Sequence, residues 1–230
     1  MTDLAIYRGA KATLVDYVSR LDSEALHLTC DACPDWSIKD TVAHHIHAQR
    51  SLVDSTFPSA AHAAIVAANA DERAVSETKR DAWTANGVSE RSGRTLEQLL
   101  AEWDQVEQIL MTSDVTALVA DLTVHLDDIR ETLVGHVARS GDDIGFTLAR
   151  YHHFQSKRYE VMGVPAVGIE CADTGQRLEA DGPGVVLGDS YDVLRCLVGR
   201  RTRPDADAML KWGETTEETR DGFSVFGWKD

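Results

Sequence analysis

Up to Gly163 this chain repeats its apolar residues at the spacing of an α-helix, and beyond Pro165 the repeat stops. Leu4, Ala10, Leu14, Val18, Leu21 and Ala25 set a first amphipathic helix over about residues 4–28. Ser37, with Asp40 three residues on, forms a capping-box-like start to a second helix that reaches about Asp54 and is ended by Pro58. Thr95 and Gln98 open a third helix, through about Met111, in the same way. A fourth covers about Val115–Val137, with Leu118, Leu122, His125, Ile129 and Leu133 on one face, and is broken at Ser140-Gly141. A fifth helical stretch, about Asp143–Met162, carries Phe146, Leu148, Tyr151, Phe154 and Tyr159. Residues 59–94 mix Ala-rich and charge-rich segments, and Asn86-Gly87 through Gly93 read as a loop.

The C-terminal third has a different grammar. Val164–Cys171 reads as a strand, Asp173–Gly175 as a turn, and Arg177–Glu179 and Gly184–Leu187 as short strands about a hairpin-like Gly182-Pro-Gly184. Ser190–Val198 reads as a short helix, and Phe223–Phe226 as a last strand. The fold class expected is therefore mainly α with a small α+β C-terminal domain. The division expected is a helical bundle over residues 1–162 and a small α+β domain over 163–230.

Bulk properties exclude several functions. The 230 residues are 43% hydrophobic and 27% charged, enough to bury a core. A net charge of -15 leaves no basic face for phosphate backbones, so nucleic acid is not an expected partner. No apolar run approaches the ~20 residues of a membrane span. The first residues lack a basic segment followed by an apolar one, so a cytoplasmic location is the expectation. The four cysteines include Cys30-Asp-Ala-Cys33, but no second such pair and no βαβ context accompany it. These two read as free thiols in an interhelix loop closed by Pro34.

The chemistry concentrates in three residues. Asp121 and His125 stand four apart, on one face of the fourth helix and one turn from each other. His44 lies early in the second helix. Two imidazoles and a carboxylate from neighbouring helices match the ligand count of a catalytic divalent-metal site that keeps a position open. The plain alternatives are a satisfied helix histidine at His44, beside His45 and His47, and an ordinary i, i+4 pair at Asp121–His125. His152-His153 points to contact with the C-terminal domain, since adjacent helix residues diverge by about 100° and cannot easily share one ion. Trp36 reads as a core anchor where the second helix begins.

Trp36-Ser-Ile-Lys-Asp40-Thr-Val-Ala-His44 resembles the W-S-x-x-D-x-x-x-H signature of the DinB-like four-helix proteins, in particular their mycothiol-dependent maleylpyruvate isomerase-like branch. Asp121-Leu-Thr-Val-His125-Leu-Asp-Asp128-Ile-Arg130-Glu-Thr-Leu-Val-Gly135 is similar to that branch's E-L-x-V-H-x-x-D-I-R-x-x-L-G pattern. Gly182–Gly188 followed by Tyr191–Arg200 is similar, more weakly, to its C-terminal domain. The likeness spans most of the chain outside residues 59–94. It implies a DinB-like four-helix bundle in which His44, Asp121 and His125 bind a divalent metal, Zn2+ first, with mycothiol as thiol cofactor or co-substrate. Two departures stand out. Asp121 replaces the usual Glu and is one methylene shorter, and Val134 is inserted before Gly135.

A thiol bound to such a metal loses its proton, so the protein need not supply a nucleophile. The sequence offers no convincing Ser-His-Asp or Cys-His set, which fits. The function expected is a metal-dependent S-transferase or cis-trans isomerase acting on a small electrophile. Its partners are that electrophile and the thiol, in a monomer or homodimer. Asp128 is expected to orient a ligand or to pair with Arg130. Arg200, in the cluster Arg195, Arg200, Arg201 and Arg203, is the expected anchor for a substrate carboxylate. A metal-dependent hydrolase using bound hydroxide, and a non-catalytic binding protein, are the rival readings.

Overall fold

A computed structural model of the chain describes residues 2–57, 70–110 and 115–229. In chain order the elements are α1 (Asp3–Val18), α2 (Ser23–Leu26), β1 (Thr29–Cys30), β2 (Cys33–Ser37), α3 (Ile38–Val53), α4 (Ala70–Ser89), α5 (Leu96–Ile109) and α6 (Thr116–Val134). There follow α7 (Asp142–Met162), β3 (Gly168–Cys171), β4 (Arg177–Leu178), β5 (Val185–Gly188), α8 (Ser190–Leu197), α9 (Arg203–Met209), β6 (Lys211–Trp212) and α10 (Glu217–Asp221). The described residues are mainly helical, with a small sheet towards the C-terminus, as the sequence pattern requires. The expected stop at Pro58 and the expected helix end at Met111 lie outside the described residues, as do residues 59–69 of the 59–94 stretch.

The chain forms two compact units. One is Met1–Ser59 with Thr78–Val137; the other is Ala60–Glu77 with Ala138–Asp230. This division and the change of pattern at residue 163 do not coincide, because α7, helical in its own sequence, packs on α8. Helical periodicity fixes which face of a helix is buried but not which partner covers it.

In the first unit α1 lies along α6, and α3 lies against both α5 and α6. The faces are the apolar stripes of the sequence. Leu14, Val18, Ile38, Val42, Ile46, Leu99, Trp103, Leu122 and Ile129 are all buried. Polar anchors set the register of the helices. The Trp103 indole donates to the Tyr7 hydroxyl at 2.8 Å, and Lys11 reaches Asp104 at 2.7 Å and Glu107 at 2.6 Å. Both capping boxes form as expected, with Ser37 accepting from the Asp40 backbone and Thr95 from that of Gln98.

Several local expectations change. The first helix stops at Val18, and α2 is a separate turn capped by Asp22. The Cys30–Asp35 loop is instead a two-stranded antiparallel hairpin in which Cys30 stands opposite Cys33. Asn86 and Gly87 lie inside α4 rather than in a loop. A Cβ on Gly87 would come within 2.0 Å of the His47 ring, so this glycine serves close packing and does not mark a turn.

The second unit is built on the sheet β4-β3-β5-β6. β3 and β5 are parallel neighbours, with Ile169 opposite Val186. The stretch Gly182–Gly184 therefore does not join adjacent antiparallel strands. Gly182 is needed there because a Cβ would strike the Ala166 carbonyl oxygen at 1.9 Å. Only Gly168–Cys171 of the expected Val164–Cys171 strand is extended and paired, and Phe223–Phe226 is turn and coil rather than strand. Phe223 and Val225 are nonetheless fully buried, so the apolar signal there reported the core and not the strand.

Candidate metal centre

The capping box at Ser37 fixes where α3 begins, and so sets the height at which His44 stands. His44, His45 and Gln49 follow within the next turns and are all buried. α6 supplies Asp121 and, one turn on, His125. The two helices bring His44 Nε2 to 3.1 Å from Asp121 Oδ2, and His125 Nε2 to 3.7 Å from Asp121 Oδ1. One donor atom from each of the three residues lies within 4.8 Å of the others. His44 and Asp121 are 77 positions apart in sequence, so this meeting belongs to the packing of α3 on α6.

The donor set, two nitrogens and one carboxylate, suits a borderline divalent cation. The carboxylate is the accessible member, its side chain 34% exposed against 7% for His44 and 10% for His125. The shorter Asp121 thus still reaches both imidazoles. Burial works to raise the Asp121 carboxyl. The charge of His44 and hydrogen bonds from His44 and His45 outweigh it and hold the group well below the usual carboxylate range.

Asp128 stands behind the site. It is 1% exposed, and its Oδ2 lies 3.0 Å from His125 Nδ1. A carboxylate accepting from Nδ1–H would leave Nε2 as the atom to give its lone pair to an ion once the ring is neutral, the arrangement that orients histidine ligands. Arg130, the alternative partner expected for Asp128, pairs with Asp127 at 2.9 Å. Burial lowers the His125 pKa, but Cys33, the hydrogen bond to Asp128 and the charge of Asp121 together push it up to about 10.

Three residues at the site escaped sequence reasoning. His45, passed over in favour of His44, places Nδ1 at 3.4 Å from Asp121 Oδ2. Its ring stacks on Trp103 at 5.8 Å with an interplanar angle of 12°. Burial drives its pKa down to about 4, so it stays neutral. Trp36, expected as a core anchor, is only half-buried, and its ring lies beside the site, 4.9 Å from that of His44 and 5.9 Å from that of His125. The adjacency of Trp36 to the His44 motif was the signal for it. Cys33 puts Sγ 3.6 Å from Asp128 Oδ2 and 3.8 Å from His125 Nδ1. Nothing in the spacing of the sequence announced that contact.

Buried donor atoms remain open around this centre. His44 Nδ1, His45 Nε2 and both amide atoms of Gln49 lack partners among the described residues. Unpaired buried polar atoms are costly and call for an explanation such as an ion, a water or a ligand. Arg200 belongs to the other unit, where its guanidinium donates to the Val198 carbonyl at 3.3 Å. Arg195 of the same cluster is 1% exposed, and Arg203 is engaged by Asp207, Glu217 and Asp221. His152 donates to the Val167 carbonyl at 2.8 Å.

No protein-family model and no curated protein matches the chain. Among solved structures, a crystal structure of a mutant of mycothiol-dependent maleylpyruvate isomerase matches with a TM-score of 0.56 at 15% identity over 93% of each chain. A second crystal structure of that enzyme gives a TM-score of 0.47 at 16% identity over the same shares. The first likeness establishes the fold. This chain shares that architecture, mainly helical with a small C-terminal sheet. No described helix is long and apolar enough to cross a membrane.

Proposed function

We propose that this protein is a metal-dependent enzyme that uses a low-molecular-weight thiol, of the mycothiol kind, to act on a small electrophile as an S-transferase or cis-trans isomerase. One observation carries the reading: His44, Asp121 and His125 converge from α3 and α6 with donor atoms within 4.8 Å. The structural neighbour's name, a mycothiol-dependent isomerase, supports the thiol and the reaction class. In this reading α1, α3, α5 and α6 are the four-helix bundle, and the C-terminal sheet with its helices is a separate α+β domain.

His44, Asp121 and His125 would hold the ion, Zn2+ before other divalent metals. Once bound, it would lower the pKa of a coordinated thiol so that the thiolate is the nucleophile. The chain's own residues prepare that position. Asp128 keeps the proton on His125 Nδ1 and turns Nε2 inward. His45, stacked on Trp103, holds Asp121 from the side. Trp36 packs its ring near the two imidazoles. Arg200 is proposed to receive a substrate carboxylate through its planar fork.

The test is metal content by mass spectrometry on untagged protein, beside an Asp121→Ala, His125→Ala double variant. About one equivalent in the wild type and none in the variant is expected. Turnover of cis-unsaturated acids and other electrophiles should then require added mycothiol. Absence of metal from both proteins after zinc is offered would overturn the reading. Thiol-independent hydrolysis by the metal-loaded protein would replace it with the hydrolase.

A further inference from the structure

His125 has a second ring nitrogen, and around it the structure gathers a second set of ligand atoms. Cys33 Sγ, Asp128 Oδ2 and His125 Nδ1 are separated by 3.6, 3.8 and 3.0 Å, and the three residues form a cluster able to hold an ion. Bond lengths of about 2.3 Å to sulfur and 2.0–2.1 Å to nitrogen and oxygen put neighbouring ligands of a tetrahedral zinc about 3.3–3.6 Å apart. The set therefore has nearly the span of three tetrahedral corners. Its chemistry also differs from that of the first set: one thiolate replaces one imidazole, which favours softer ions. Cys33 is half-buried, while Cys30, Cys171 and Cys196 are buried.

We propose that Cys33, His125 and Asp128 form a second site, for a thiophilic divalent cation of the zinc or cadmium kind, in competition with the site at His44, Asp121 and His125. The competition, which rests on the function proposed above, follows from the imidazole. A neutral ring has one lone pair to give. In the first set Nε2 gives it and Nδ1–H is donated to Asp128. In the second Nδ1 gives it, Nε2 takes the proton, and Asp128 turns from acceptor to ligand. Binding there also releases the Cys33 thiol proton. An ion at Cys33 thus takes from the first set both a ligand and the group that orients it.

Cobalt(II) alone is the probe, titrated into the metal-free full chain. Thiolate coordination gives a near-ultraviolet charge-transfer band that imidazole and carboxylate do not. With the first set broken by His44→Ala, about one equivalent should bind with that band, and adding Cys33→Ser should remove it. The single variant Cys33→Ser should bind cobalt without the band. Wild type should take one equivalent in total, shared between the sites. A His44→Ala protein with native circular dichroism and no band at saturating cobalt would overturn the proposal; Asp121→Asn replaces His44→Ala if the latter does not fold. Two equivalents in wild type would overturn the competition. If Cys33→Ser binds no cobalt while His44→Ala gives the band, the second site stands and the metal reading of the first falls.

Discussion

Two sets of buried or half-buried polar side chains in this molecule are treated in opposite ways. On α7, His152, Gln155 and Tyr159 recur at helical spacing, and each donates to a backbone carbonyl of the C-terminal segments. The distances are 2.8 Å to Val167, 2.8 Å to Phe223 and 2.6 Å to Thr219. On α3 and α6, His44, His45, Asp121 and His125 meet one another instead, and leave His44 Nδ1 and His45 Nε2 without partners among the described residues. A side chain that closes on a backbone carbonyl works as a rivet, because that carbonyl would otherwise be buried without a donor. Side chains that converge on a shared carboxylate with buried atoms to spare call for a further partner such as an ion, a water or a ligand. Polar burial alone marks neither region as functional; the partner does. The contrast is not complete, since Gln155 Oε1 is also unpaired.

The comparison is broken most directly at Asp121 and His125. Removing both should abolish metal binding and turnover while leaving the thermal transition nearly in place, measured by mass spectrometry and calorimetry on the same sample. A collapse of the fold would make this cluster a rivet after all. Asp128→Asn comes next. Losing the carboxylate behind a histidine ligand should weaken metal affinity by about 10–100-fold, read by competition with a chromophoric chelator. Tyr159→Phe should act in the other direction. It leaves the Thr219 carbonyl buried without its donor and should cost about 1–2 kcal/mol in denaturant unfolding, with metal affinity unchanged.

The smallest effect is the pH dependence of the rivets. Burial lowers the His152 pKa from 6.5, so the unfolded chain binds this proton more readily than the folded one. Stability is then fully present above about pH 6.5 and falls as the pH drops below it, with a slope of at most about 1.4 kcal/mol per pH unit for one group. Urea unfolding from pH 7.5 downwards should show this fall, and His152→Gln should flatten it. An unchanged slope in that variant would assign the dependence to other groups.

Much of the first unit was legible in the sequence because its signals are local. Ser37 with Asp40 and Thr95 with Gln98 cap their own helices, and the i, i+4 spacing of Asp121 and His125 needs only helix geometry. The hairpin at Cys30–Cys33 was not legible, since two and five residues with a proline carry no alternation to read. Nor was α4, where Gly87 looks like a break until the His47 ring is seen against it. The C-terminal strands were placed roughly, but their order was not. The parallel pairing of β3 with β5 is a long-range choice that no turn motif encodes.

The sequence by itself determined the helical class, the caps and the pair on α6, because each depends on residues within a turn or two of one another. Only the tertiary structure decided that His44 meets that pair, that His45 and Trp36 complete its surroundings, that Cys33 stands at the far nitrogen of His125, and that α7 packs with the C-terminal elements. Those are contacts between segments tens of residues apart, selected by which apolar stripe covers which, and no local pattern carries that information.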